Sequence, residues 1–106
     1  SGETSGIRFQ FAAAPTIASG FGTTPAISTG STDTAGEVNV GTGGTATSGV
    51  ITFATAWARA PFVVVTNSTT GAVVRATATT TAMTITAPAA FTASDKINWM
   101  CIGANA

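Results

Sequence analysis

Histidine is absent from this chain of 106 residues, cysteine occurs once, and only 8% of the residues are charged. Each shortage closes a class of function. Without histidine the commonest general base and the commonest metal ligand are both missing. No Ser-His-Asp or Cys-His arrangement can therefore form within one chain. One cysteine excludes an internal disulfide, and with no histidine beside it a zinc site is excluded too. Four basic residues (Arg8, Arg59, Arg75, Lys96) balance four acidic ones (Glu3, Asp33, Glu37, Asp95). Charge this sparse and balanced offers no cationic stripe for nucleic acid and none for an anionic membrane surface. No apolar run approaches the ~20 residues of a membrane-spanning helix. The N-terminus lacks the basic-then-apolar pattern of a signal peptide. No cofactor is implied.

What is present is apolar and small. Hydrophobic residues make up 44% of the chain and charged residues only 8%, where an average domain carries roughly 25% charged. Either Thr and Ser cover a β-protein, or much of the surface is hidden between subunits. The second is the expectation, because small domains are marginal alone and oligomerisation is a usual remedy. The length suits one domain. Ser1 to Gly6 reads as a linker or cut point, and the expectation is a fragment of a longer chain. Residues 1–14 are assigned to a linker or N-terminal strand, and residues 15–106 to a single domain.

Gly and Pro punctuate the chain too often for a 3.6-residue stripe, and Thr and Val favour strands, so no significant helix is expected. Residues 1–49 are Gly/Ser/Thr-rich with short apolar islands, Pro25 to Ser28 among them. Ile7-Arg8-Phe9-Gln10-Phe11 alternates cleanly. Val38 and Val40 form a short inward pair, and Ile51 and Phe53 share one side of the next strand. Phe62 to Thr66 is a continuous apolar run, expected to be buried on both faces. Asn67 to Gly71 reads as a hairpin loop and Thr79-Thr80 as a tight turn. Ala72 to Ala78 is a strand in which Arg75 faces outward, solvated or bridging to a neighbouring acid. Met83 and Ile85 alternate against Thr84 and Thr86. The last strand, Ile97 to Ile102, sets Ile97, Trp99 and Cys101 against Asn98, Met100 and Ile102. The expected fold is an all-β antiparallel sandwich of about seven to eight short strands.

Candidate chemistry is thin. Cys101 reads as a buried thiol acting as a small hydrophobe. Asp33 and Glu37 lie close enough to be a catalytic pair across subunits or a weak cation site. A turn built on Asp33 and leading into a strand is the simpler account. Gly41-Thr42-Gly43-Gly44-Thr45 lacks the Lys and helix of a phosphate loop and is better explained by the backbone freedom of Gly. Trp57 and Arg59 form a candidate glycan-facing pair; the alternative is that Trp57 caps one end of the core while Arg59 is solvated. Trp99 is a core or interface anchor. Met100 and Ile102 are left needing cover, which makes Trp99, Met100 and Ile102 the candidate subunit interface. No catalytic residue and no metal ligand is assigned, and the chain is read as a non-enzyme.

The stretch from Gly49 to Val65 places a Thr-Phe strand (Thr52-Phe53), an aromatic turn at Trp57, Ala60-Pro61 and a Val run in series. With Trp99-Met100-Cys101-Ile102-Gly103 at the end, it resembles the C-terminal domains of tailed-bacteriophage tail fibres and tailspikes. Ile17 to Pro25 and Val40 to Gly49 are similar to phage or prophage sequence as well. The resemblance implies a β-sandwich at the distal end of a homotrimeric virion fibre, locking three chains together and contacting host surface polysaccharide. It carries over no ligand-binding residue. Two other classes fit the same composition: a monomeric carbohydrate-binding module, and a virion decoration or capsid-stabilising protein.

Overall fold

A computed structural model describes residues 13–103. Eight strands follow in chain order: β1 (Thr16–Gly20), β2 (Ala26–Ile27), β3 (Ala35–Asn39), β4 (Ser48–Thr52), β5 (Phe62–Asn67), β6 (Arg75–Ala78), β7 (Ala82–Thr86) and β8 (Lys96–Ile102). They form two four-stranded antiparallel sheets, ordered β1-β4-β7-β6 and β2-β3-β8-β5. Among the described residues there is no helix. The expected all-β antiparallel sandwich is the observed fold. The alternating strand expected at Ile7 to Phe11 lies outside the described residues.

Period-2 alternation decides which side chains go inside. In the first sheet Ile51 of β4 and Met83 and Ile85 of β7 point inward, all three fully buried. In the second, Val38 of β3 and Ile97, Trp99 and Cys101 of β8 meet them. Val40, Phe53, Phe91 and Phe21 close the ends of the layer. Phe21 enters by an unusual route. Gly20, Phe21 and Gly22 all hold left-handed backbone, with φ of 80°, 61° and 81°. This turn carries the chain from one sheet to the other and plugs the Phe21 ring against Phe91, 6.1 Å away. A β-carbon on Gly49 would run into that ring, so the strand opposite must be bare there. In the Gly41 to Thr45 loop, Gly43 and Gly44 take φ of 110° and 66°, as its conformational reading requires.

Two expectations fail. Phe62 to Thr66 is not buried on both faces: β5 is the outermost strand of its sheet, and Phe62 and Val64 are 68% and 58% exposed. An apolar run is equally compatible with a doubly covered strand and with one whose outer face is bare, since composition carries no record of what lies above. Asn67 to Gly71 is not a hairpin loop either. It carries the chain from β5 in one sheet to β6 in the other. Its turn chemistry is as expected, with Asn67 Oδ1 accepting from the amides of Thr69 (3.0 Å) and Thr70 (3.1 Å), but a tight turn does not dictate which sheet the next strand joins. Thr79-Thr80 does form the β6–β7 hairpin, closed by the Thr79 amide donating to the Ala82 carbonyl at 2.8 Å.

Candidate functional site

Register sets the surface of the second sheet. Phe62 lies opposite Ile102, and Val64 opposite Met100, all four on the side away from the core. Met100 and Ile102 are 52% and 55% exposed, so four large apolar side chains stand together in water. Ala35 of β3, opposite Met100, continues the apolar row. The other end of the same face is polar and tied together. Glu37 accepts from Ser28 Oγ (2.7 Å) and Asn98 Nδ2 (3.2 Å), Asn39 Nδ2 donates to Ser28 Oγ (2.8 Å), and Lys96 Nζ donates to Asn39 Oδ1 (2.9 Å). The outer face of the first sheet is covered mostly by hydroxyl side chains, Ser48, Thr52, Thr77, Thr84 and Thr86, with Val50 and Ala82 among them and Arg75 at the margin. Four of the five exposed large apolar side chains among the described residues thus stand at one end of one face, and the fifth, Val73, stands apart in the loop before β6.

Beside the apolar patch a cleft of about 460 Å³ opens between Trp57, Thr34 and Ala35 on one side and residues 100–103 on the other. Its walls are pinned from several directions. Thr32 makes the turn into β3, its hydroxyl accepting from the amides of Thr34 and Ala35, both at 3.2 Å. The carboxylate of Asp33, next to it, reaches across to the loop after β4 and accepts from the amides of Ala54 (2.8 Å) and Thr55 (3.0 Å). That loop carries Trp57, whose amide donates to the Thr80 carbonyl at 2.8 Å. The Trp57 ring meets Phe53 edge-on at 5.9 Å and lies close over Gly103. Its indole Nε1 is buried with no hydrogen-bond partner among the described residues.

Of the residues singled out in the sequence, Trp57, Met100 and Ile102 meet at this cleft, whereas Arg59 and Trp99 do not line it. Trp57 is half-buried and closes one end of the core, while Arg59, two residues on, is exposed. Trp99 takes the core position of its two readings. It is 3% exposed and donates from Nε1 to the Thr32 carbonyl at 3.0 Å, so it stands behind the exposed face and not on it. Met100 and Ile102 are on that face, joined by Phe62 and Val64. Asp33 and Glu37 share no partner. The turn before β3 is made by the Thr32 hydroxyl, and Asp33 instead staples one loop to another. Asp95 plays a similar part, accepting from Asn67 Nδ2 (3.1 Å) and the Thr92 amide (2.9 Å). Among the described residues no cluster of three or more metal-ligating side chains forms. Cys101 is buried, and burial, with the nearby Asp33 charge adding to it, pushes its thiol up to about 11. A thiol held protonated at neutral pH is a packing group, not a nucleophile.

Sequence reasoning overlooked Phe62 and Val64 as surface residues, and the polar ladder of Ser28, Glu37, Asn39, Lys96 and Asn98 altogether. Only the cross-strand register brings either set together. Compared with known proteins, the chain matches no family model, no curated protein and no solved structure.

Proposed function

We propose that this chain is a non-enzymatic assembly domain, the distal domain of a phage tail fibre or tailspike. Three copies associate through the apolar end of the β5–β8 face. The observation that carries the reading is the cluster of Phe62, Val64, Met100 and Ile102, each half or more exposed and all on one side of one strand pair. Monomeric proteins rarely leave such a contiguous patch bare, and patches rimmed by polar residues mark association surfaces. The polar ladder below the patch supplies that rim. In the virion the domain closes the fibre tip, and its exposed loops are available to host polysaccharide. Sedimentation equilibrium at micromolar concentration tests this: a trimer mass is expected, and a well-behaved monomer would sink the reading.

A second reading, a monomeric carbohydrate-binding module, draws on one observation, the half-exposed Trp57 ring beside the apolar cleft. An aromatic face stacks on a sugar ring, although the buried indole N–H cannot donate to a hydroxyl. Glycan-array binding that disappears in Trp57→Ala with folding unchanged would favour it. A virion decoration or capsid-stabilising protein would assemble through the same patch, and electron microscopy of the parent particle separates it from a fibre tip by location.

A further inference from the structure

A second hollow, of about 360 Å³, lies between the β5–β6 connection and the β7–β8 connection. Its mouth is apolar, with Val73, 71% exposed, beside Pro88 and Ala90. Its floor is made by the buried Asn67, Phe91 and Asp95. Asp95 is only 3% exposed, and a carboxylate so buried is ordinarily paired with a cation. Here none reaches it. Its Oδ2 accepts from Asn67 Nδ2 (3.1 Å) and the Thr92 amide (2.9 Å), while Oδ1 accepts nothing among the described residues. Unlike Trp57 Nε1 and Asn98 Oδ1, this oxygen is not sealed from solvent, so it opens to the hollow that Asp95 lines.

The other polar groups around it are already engaged. Asn67 gives its Nδ2 to Asp95 and its Oδ1 to the amides of Thr69 and Thr70, and the Thr70 hydroxyl accepts from the Ala72 amide at 3.1 Å. The described cations do not supply the missing charge. Lys96 Nζ donates to Asn39 Oδ1, and Arg59 belongs to the Trp57 loop. Arg75 lines a neighbouring hollow that shares the Val73 and Pro88 wall. What remains is one free charged acceptor under apolar walls, and that chemistry selects its occupant. A single free oxygen suits the point charge of an ammonium, whereas a guanidinium fork engages both carboxylate oxygens. Apolar walls suit an unbranched methylene stem. A sugar would leave hydroxyls unpaired against them. One carboxylate is too few oxygens for a hard metal ion.

We propose that this hollow receives a lysine side chain of a partner protein, its ammonium on Asp95 Oδ1 and its stem against Val73 and Pro88. The site stands apart from the Phe62, Val64, Met100 and Ile102 face and does not depend on the self-association reading. It also gives a role to Val73, the one large exposed apolar side chain off that face among the described residues. The test is an amide NMR titration of the full chain with Nα-acetyl-lysine methylamide, read at Thr70, Ala72, Ala90 and Thr92. Shifts there should saturate in the millimolar range and be lost with the Nε-acetylated compound, whose head is uncharged. Asp95→Asn should weaken binding by about tenfold or more. Val73→Lys alters an exposed position and sets a competing cation at the mouth, so it should weaken binding similarly, and it decides if Asp95→Asn does not fold. The arginine counterpart and glucosamine should each bind about tenfold more weakly than the lysine compound. Absent shifts, equal shifts from the charged and acetylated compounds, or unchanged binding in the folded variants would overturn the site. Glucosamine binding as tightly as the lysine compound would overturn the lysine assignment in favour of an amino sugar. The mass of the chain in solution bears on none of these outcomes.

Discussion

Replacing Met100 with Asp separates association from folding, because this side chain lies on the bare face of a strand whose other face is core. Full burial of a large apolar side chain is worth about 1.5–3 kcal/mol. With 52–68% of each of four side chains still exposed, covering them would contribute about 1 kcal/mol apiece, or about 4 kcal/mol from each copy. Association costs about 4–15 kcal/mol in lost freedom, so patches from neighbouring copies yield an assembly of moderate strength, sensitive to any one member. Met100→Asp removes about 1 kcal/mol of burial and adds a carboxylate that must lose water, a penalty of several kcal/mol when unpaired. Association should weaken by about 3 kcal/mol or more per contact, over a hundredfold in each association constant. The dilute monomer should lose only the strand preference of an exposed position, about 1 kcal/mol. Sedimentation equilibrium gives the first quantity and calorimetry at low concentration the second. Thr84→Asp, on the outer face of the opposite sheet, is the control with the same strand penalty and no effect on assembly. The reasoning fails if Met100→Asp keeps the parent's mass, or if Thr84→Asp dissociates the assembly equally.

Asp33→Ala orphans two loop amides, and charge-assisted bonds are worth about 1.5–3 kcal/mol each. Because Ala54 and Thr55 are exposed and their amides regain water, a net loss of about 2–3 kcal/mol is expected in urea denaturation. Asp33→Asn, which keeps one acceptor oxygen, should recover part of it, and a loss under about 0.5 kcal/mol in Asp33→Ala would refute the staple. Cys101 makes stability fall in alkali. Its folded value of about 11 lies above the reference 9.0, so between these pH values the unfolded thiol has released its proton and the folded one has not. Unfolding free energy should therefore decline from pH 9 to 11 by an amount of order 2 kcal/mol, and hold steady below pH 9. Cys101→Ala should flatten this slope, and an unchanged slope would place its cause elsewhere.

The inward faces were legible because period-2 alternation is a local property. Ile51, Met83 with Ile85, and Ile97 with Trp99 and Cys101 could be assigned to the core from their own neighbours. β1 was not legible: Thr-Ile-Ala-Ser-Gly is small and loop-like, and it is a strand because β4 pairs with it. The Phe62 to Thr66 run hid its exposure, since an unbroken apolar stretch has no polar residue to mark the wet side. The candidate site was half visible. Met100 and Ile102 stood out as the wrong-face apolar residues of the last strand, whereas Phe62 and Val64 could join them only once pairing with β8 set the register. Asp33 looked like a turn residue because its partners lie 21 and 22 positions away.

By itself the sequence determined the fold class. Its Thr, Val and Gly content builds strands and turns, and its Gly and Pro punctuation breaks any helical stripe. Those are properties of residue types and near neighbours, which need no fold to act. The tertiary structure decided which strand became an edge, which sheet each turn fed, and which apolar side chains were left in water together. Each of these depends on pairing between strands far apart in the chain. Cross-strand register is a long-range outcome of burying one core, and no single strand carries it.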